Sequence, residues 1–582
     1  MSLNILGINA AYHESSAALL VDGQLIAAIE EERLNRIKHA KPARIDNPDE
    51  LPVLAVNTCL NMAGLSLSDI DIIAFSFDPK RRIAHNTQIN DLTTPDDWGT
   101  ETGEQLFCDK LLSIPERLQQ MGFKGQFRWI EHAKAHAASA FFPAPFPEAA
   151  ILSIDGIGEI ESALLAHGQK DNITALKQII YPNSLGFLWE KFAKYLGYSE
   201  YDACKIMSLA SFGNSSRYRT QFDTFIHNHN DHFEIDGHFI RFRLEDYSTL
   251  EALFGLPQRP ADAPILQEHM DIAAALQQVT TDILLNLIHH LHQLTQSENL
   301  CLAGGVALNC VANRVIFEEG PFKNIYIQPA ANDAGTALGA ALLVYHNIYG
   351  GEYYQPLEIP HTYLGPEYSD EEILHTLQAL DVPFTYCEQI ETTVAQLISE
   401  GKVVGWFQGR MEFGPRALGN RSLLADPRDP EMVKRLNRLV KHREDHRPFC
   451  PSILEEDAAD WFHISKKALA ARFMLMAYPV NSSKADQIPA VIHVDGTSRI
   501  QEVQATTNPK YHRLISEFKK LTGVPILLNT SFNDREPVVC TPENAIRTFL
   551  RTKIDYLAIG NFLLDKTQHT VQKKTTSGYE VA

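Results

Sequence analysis

Cysteine is scarce in this chain, eight in 582 residues, and no two of them stand as a CxxC pair. A zinc ribbon or a disulfide framework is therefore disfavoured, and buried thiols in a reducing compartment are expected. Long apolar runs are missing too. None reaches the eighteen residues that suggest a membrane-spanning helix, so no membrane partner is expected. The opening "LNILGINAA" reads as a strand rather than a secretion signal, and a cytoplasmic location is the expectation. Positive charge is in deficit, 52 Lys/Arg against 72 Asp/Glu for a net −20, which argues against a nucleic-acid partner. What is present, 45% apolar and 21% charged residues, is ordinary globular composition at a length that implies two or more domains.

One window runs against the acidic trend. Between Arg410 and Arg447 ten Lys/Arg face six acidic residues, which suggests a small anionic ligand. A solvated helix face over 431–443 would account for some of these cations but not for those in loops.

The first third repeats itself. "LGINAAYHESSAALLVDGQLIAAIEEERL" reads as strand, polar turn, strand, DG turn and strand. "ILSIDGIGEIESALLAHGQKDNITALKQII" follows the same order, with Asp155 answering Asn9. Two such meanders, each followed by helical segments, imply a duplicated α/β domain with a cleft, the plan of actin-like and sugar-kinase-like ATPases. Residues 265–299 predict a long amphipathic helix. "LCLAGGVALNCVANRVIF" and "IYIQPAANDAGTALGAALLVYH" then each read as strand, tight turn and helix. Backbone N–H groups of such units can face phosphate, although neither is a P-loop. A Tyr/Pro-rich connector near 350–370 marks a domain boundary, and the tail after Lys566 is polar.

"IEHAKAHAASAF" sets His132 and His136 four apart in an alanine-rich run that predicts helix, so both imidazoles share a face. With 23 histidines in the chain this spacing alone says little, and His442 and His446 repeat it. Asp155 ends an apolar strand and Asp333 opens a helix in "ANDAGT". Two imidazoles and two carboxylates suit a divalent iron- or manganese-type ion better than a structural zinc. A helix-capping Asp333 and a hydrogen-bonded turn Asp155 are the alternative, and the residues alone leave both open.

In order, "IEHAKAHAASAF", "ILSIDGIGE", "LAGGVALNCVANRVI", "PAANDAGTALGAAL" and "WFQGRMEFGPRALGNRSLLADPR", then "KHREDHRPFCPSIL", "DGTSRIQEV" and "LNTSFNDREPVV", carry a resemblance. From residue 4 to about 565 the chain is similar to the NodU/CmcH/TobZ-type O-carbamoyltransferase family. The resemblance implies a duplicated actin-like (ASKHA, Kae-like) domain over 1–352, a linker over 353–370, a YrdC-like α/β domain over 371–566 and a polar tail over 567–582. It implies an ATP-dependent reaction in two stages. The YrdC-like domain makes carbamoyl adenylate from carbamoyl phosphate and ATP, with Mg2+ accompanying the ATP. The Kae-like domain then passes the carbamoyl group to a hydroxyl of a small-molecule, secondary-metabolite or sugar-like acceptor.

Carried over residue by residue, the metal ligands are His132, His136, Asp155 and Asp333, holding iron (Fe2+) or a similar divalent ion. Phosphate and carbamoyl binding falls on Arg416, Lys441, Arg447, Arg499 and Ser531, with Asn529 and Asn533 beside them. Arginine forks grip phosphate oxygens bidentately and a lysine adds a point charge, which fits Lys441 and Arg499 as catalytic residues. Gly304, Gly305, Asn309 and Asn332 are the nucleotide-binding candidates of the Kae-like domain. His13 is the candidate for activating or binding the acceptor hydroxyl, against a turn histidine bonded to Ser15 or Ser16. Lys38 and His39 would at most line the acceptor entrance. Arg421 and Arg443 read more readily as internal ion-pair partners than as ligand contacts, and His442/His446 as part of the basic segment. The chain departs from the family at "YDACKIMSLASFG", where Ala203 and Ser208 replace usual residues in a loop expected beside the acceptor pocket.

Three alternatives compete with this reading. A tRNA threonylcarbamoyl transferase fits poorly with the negative charge. A hydrogenase-maturation carbamoyltransferase is expected to carry paired CxxC motifs. A non-enzymatic actin-like ATPase or sensor leaves the basic second domain unexplained. The acceptor's identity is not legible, and a homodimer is a possible assembly.

Overall fold

The computed structural model describes residues 2–85, 97–349, 359–444, 447–466 and 468–569. Part of the expected linker, His446 and most of the expected tail lie outside these residues. The chain divides into two units, Met1–Ile359 with Ser465–Ala470 and Leu475–Ala477, and Pro360–Ile464 with Ala471–Met474 and Tyr478–Ala582.

The first unit holds two five-stranded sheets of the same design. In one, β1 (Asn4–Asn9), β2 (Ser16–Val21), β3 (Gln24–Glu30), β4 (Ile72–Phe75) and β5 (Gln126–Trp129) are ordered β3-β2-β1-β4-β5. In the other, β6 (Glu148–Ile154), β7 (Glu161–Gln169), β8 (Asn172–Ile180), β9 (Asn299–Ala303) and β10 (Asn324–Ile327) are ordered β8-β7-β6-β9-β10. In both, the meander pairs are antiparallel and the two remaining strands add in parallel. The duplicated actin-like plan is thus present. β1 and β4 are buried along their whole length, as strands covered on both faces must be, and their near-continuous apolar runs reflect it.

Six helices bear on the site: α1 (His132–Phe141), α2 (Leu185–Tyr195), α3 (Ala203–Ala210), α4 (Gln267–Thr295), α5 (Cys310–Glu319) and α6 (Ala334–Tyr349). Along α4 the buried Ile272, Leu276, Val279, Ile283, Leu287 and Leu291 recur every three or four residues, the predicted stripe. Each such side chain contributes about 1.5–3 kcal/mol of burial. The helices α1 and α6 are exchanged between the sheets. α1 follows β5 in sequence yet packs on β6, β7 and β9, whereas α6 follows β10 and packs on β1, β2 and β4. Glycine permits this seam. A Cβ on Gly339 of α6 would lie 1.8 Å from Ala135 O of α1, and one on Gly7 of β1 would lie 1.8 Å from Ala337 O of α6.

The second unit is built on an eight-stranded mixed sheet. Its strands are β11 (Thr385–Tyr386), β12 (Val404–Phe407), β13 (Arg421–Ala425), β14 (Cys450–Leu454), β15 (Gln501–Val503), β16 (Ile526–Ser531), β17 (Tyr556–Ile559) and β18 (Phe562–Asp565). They are ordered β11-β18-β17-β12-β13-β16-β14-β15. Helices α7 (Ile390–Ser399) and α8 (Pro509–Thr522) pack together and against the sheet.

Candidate active site

The helix exchange brings four side chains to one point. His132 and His136 lie one turn apart on α1, Asp155 follows β6, and Asp333 immediately precedes α6. The two Nε2 atoms are 3.1 Å apart. Asp155 Oδ2 lies 3.2 Å from His136 Nε2 and 3.5 Å from His132 Nε2, and Asp333 Oδ1 lies 3.5 Å from each. Donor atoms each about 2.0–2.2 Å from a shared centre stand roughly 3–3.6 Å apart, so the set could hold a divalent ion. Both imidazoles and Asp333 are buried, and only Asp155, at 19% side-chain exposure, opens toward solvent.

The surroundings aim these ligands. His132 Nδ1 sits 3.1 Å from Ser76 O, which favours the proton on Nδ1 and a lone pair on Nε2. Gly305 N–H donates to Asp155 Oδ1 at 2.9 Å, and Gly304 adopts φ +89°, a turn in which a Cβ would strike Ile154 O. Glu159 accepts from the backbone N–H groups of His132 and Asp78, fixing the start of α1. Burial opposes charge on His132, yet Asp333 and Asp155 carry its pKa well above the usual imidazole value. Burial likewise opposes charge on Asp155, and the two imidazoles hold its carboxyl well below the usual range. On α2, burial and then the Asp155 charge push Glu190 up to about 8.

The nucleotide candidates in this unit are partly engaged. Gly305 N–H serves Asp155, and Asn309 caps α5 through Ala312 N at 3.1 Å while donating to Gln277 Oε1 at 3.0 Å. Asn332 Oδ1 is a buried acceptor with no partner among the described residues. His13 makes no bond to Ser15 or Ser16 among the described residues. Ser16 Oγ donates instead to Ala334 O at 2.8 Å, and the His13 ring stands edge-on to Tyr201 with centroids 5.2 Å apart. His39 stacks on Tyr201 at 4.4 Å, and its Nδ1 lies 2.6 Å from Glu14 Oε1. Glu14, His39 and Ala40 all hold left-handed backbone angles of φ 55°, 61° and 68°, a local concentration of strain. Lys38 is exposed. The segment with Ala203 and Ser208 is the helix α3, not the expected loop.

In the second unit Lys441 Nζ donates to Ser531 O at 2.5 Å, Ser531 Oγ at 3.2 Å, Asn533 O at 3.0 Å and Asn533 Oδ1 at 2.6 Å. The lysine ends a π-turn over Asn437–Lys441, a wide helical turn common at functional sites. Arg499 donates through Nε and Nη2 to Cys450 Sγ, at 3.2 and 3.1 Å. Arg416 and Arg447 are half-buried in loops. Asn529 directs its amide into the protein, to Ala417 O, Ser452 Oγ and Gln501 Oε1.

Much of the basic window serves the fold. Arg421 is fully buried, lies 3.7 Å from the Phe407 ring centroid, and donates to the carbonyls of Gln408, Gly409, Asn420 and Pro366. Arg410, Arg428 and Arg435 are likewise bonded to nearby carbonyls or carboxylates, and Arg443 to Asn437. A local excess of cations therefore overstates the charge free to meet an anion. Sequence reasoning also missed Glu412. Its Oε1 accepts from the N–H groups of Leu418, Asn420 and Arg421 at 2.7, 2.8 and 3.3 Å, which sets the shape of the "FGPRALGNR" loop. The acid immediately before that motif was the available signal.

Comparison with known proteins agrees with this layout. Residues 4–342 match the family model "Carbamoyltransferase N-terminus", and residues 395–566 match "Carbamoyltransferase C-terminus". The chain is 39% identical to the uncharacterized protein sll1178 of Synechocystis, over 97% of each chain. It is 38% identical to nodulation protein NolNO of Sinorhizobium fredii, over 96% of this chain and 80% of that one. With nodulation protein NolO of Bradyrhizobium diazoefficiens the identity is 40%, over 76% and 80%. Matched along both units, the chain belongs to the carbamoyltransferase family and is a carbamoyl-transferring enzyme.

Proposed function

We propose that the enzyme is an ATP-dependent O-carbamoyltransferase that divides its reaction between its units. In this reading the second unit, YrdC-like, converts carbamoyl phosphate, water and ATP to carbamoyl adenylate, releasing phosphate and pyrophosphate. The first unit, Kae-like, passes the carbamoyl group to a hydroxyl of a small-molecule acceptor and releases AMP. The observation that carries it is the family membership together with two separate constellations, the His132–His136–Asp155–Asp333 set and the Lys441–Ser531–Asn533 cluster. No helix among the described residues is long and apolar enough to cross a membrane. A cytoplasmic setting and a small-molecule, secondary-metabolite or sugar-like acceptor belong to the same reading.

Lys441 meets the phosphates as a compact positive charge. Its four oxygen partners pre-position the ammonium, so little reorganisation accompanies the developing charge. Arg499, Arg416 and Arg447 complete the anion clamp, and Ser531 offers a hydroxyl beside it. Asn529, inside the sheet, acts by holding Ala417 and thus the loop that carries Arg416.

In the first unit His132, His136, Asp155 and Asp333 would hold a divalent ion, with iron favoured by the resemblance and by the N2O2 donor set. Such an ion supplies Lewis-acid stabilisation of a carbonyl or phosphate oxygen. Ser76 and Gly305 keep the ligand side chains oriented. His13, with a buried Nδ1 that has no partner among the described residues, is assigned to the acceptor hydroxyl.

Pyrophosphate release tests the activating stage without an acceptor. Release should require both ATP and carbamoyl phosphate, and Lys441→Ala should abolish it while leaving metal binding intact. Release from ATP alone, or an unimpaired Lys441→Ala protein, would overturn the division of labour.

A further inference from the structure

Far from these residues in sequence, the stretch "IHNHNDHFEI" forms a hairpin of strands Ile226–Asn228 and Phe233–Ile235. Its residues alternate as a half-buried hairpin must. Ile226, Phe233 and Ile235 are buried, while His227, His229, His232 and Glu234 belong to the opposite alternation. The His229 N–H donates to His232 O at 2.9 Å, closing a tight turn over Asn230 and Asp231. That closure makes the two histidines cross-strand neighbours, and their rings stack with centroids 4.5 Å apart at 16°.

We propose that this hairpin carries a second metal site, in which His229, His232 and Glu234 bind a transition-metal ion of the Zn2+, Ni2+ or Cu2+ class at the protein surface. The Glu234 carboxylate spans both rings, with Oε1 3.4 Å from His232 Nε2 and Oε2 3.8 Å from His229 Nε2. One donor atom from each residue falls within 4.8 Å of the others. Asp231 Oδ1 lies 2.7 Å from His232 Nδ1, the carboxylate–imidazole pairing that puts the proton on Nδ1 and leaves Nε2 for a metal. Asp231 is itself held by an ion pair to Lys177 on β8, and Asn286 of α4 donates to His229 O at 3.5 Å. The turn is thus tied to a strand and a helix of the first unit. Two imidazoles and a carboxylate favour these ions over Mg2+ or Ca2+, which prefer all-oxygen surroundings. Three protein donors leave coordination positions open to water or an external ligand, unlike a closed structural site. No residue is shared with the His132 cluster, so the two sites fill independently.

The test counts ions. The chelator-treated full chain is dialysed against micromolar free Zn2+, and metal per chain is measured by mass spectrometry. The His229→Asn/His232→Asn double variant should bind one equivalent fewer than the unaltered chain. Asp231→Asn should weaken that equivalent by about tenfold, the lower end of what loss of an outer partner does. His227→Asn/His238→Asn, changed in and beside the same hairpin, should bind as the unaltered chain does. All substituted residues lie at the surface, and circular dichroism verifies folding. Equal stoichiometry in the unaltered chain and the His229/His232 variant would overturn the proposal, as would loss of the same equivalent from the His227/His238 variant.

Discussion

Gly339→Ala pits two effects of opposite sign against each other. In a helix interior, alanine for glycine ordinarily stabilises by about 1 kcal/mol, because glycine loses more backbone freedom on folding. In α6 the added methyl would lie 1.8 Å from Ala135 O and 2.8 Å from Ala135 C, both backbone atoms of α1. Carbon and oxygen need roughly 3.2–3.5 Å, so the helices must part by more than about an ångström. Overpacking of this kind costs about 1–3 kcal/mol, and a main-chain obstacle puts it at the upper end or beyond. The net expectation is a loss of about 2 kcal/mol, which lowers the unfolding transition of the first unit by roughly 2–5 °C. The seam also sets the 3.5 Å spacing between Asp333 and the two imidazoles, so the variant should retain the His132-site metal poorly even while folded. Scanning calorimetry and metal analysis after dialysis read both effects. A variant as stable as the parent, or more so, would refute the close crossing of α1 and α6.

Asp155→Asn should remove the more exposed carboxylate of the buried set, lose the ion at that site and stop carbamoyl transfer, while pyrophosphate release continues. Treatment with a chelator, followed by its removal and return of Mg2+ alone, should reproduce that pattern. Glu412→Ala should destabilise the second unit by about 2–4 kcal/mol, since it removes the one oxygen that receives three buried N–H groups. Denaturant titration would show it, and an unchanged midpoint would remove Glu412 from the loop's support. In the folded chain burial opposes charge on His39, but the Glu14 contact raises its pKa above the usual value. The Glu14–His39 contribution to stability should therefore be full below about pH 6.5 and fade as pH rises through the elevated folded value. Glu14→Gln should abolish that dependence and lower the His39 midpoint in an NMR titration.

The duplication was legible because each meander carries its own alternation and turn signals within some thirty residues. The four members of the His/Asp set were named through the family resemblance; α1 presenting both imidazoles on one face, and carboxylates at the end or start of an element, left a capping reading equally open. Partner choice was not legible. Nothing local in "HAKAHAASAF" says that α1 packs on the second sheet rather than on the one it follows, since an alanine-rich surface suits either. The basic window was legible only in part, for a related reason. An arginine bonded to main-chain carbonyls, as Arg421 is, reads in sequence like one awaiting a phosphate. Glu412, Ser76 and Gly305 act through hydrogen bonds to backbone or to another ligand, which leave no spacing pattern.

The exchange of α1 and α6 has a consequence in time. The face of β1 beside Gly7 is covered by α6 around Ala337, about 330 residues later in the chain. At roughly 5–20 residues per second, synthesis of that interval takes on the order of 15–65 s. From Trp129, where β5 is complete, the first sheet exists without its covering helix, while α1 waits for β6 to emerge. Neither half can close over its own core, so the order of emergence from the ribosome obliges the nascent first sheet to remain unsealed until the second is complete. The chain's dependence on chaperones should be concentrated in that interval, and should end once Tyr349 has left the exit tunnel.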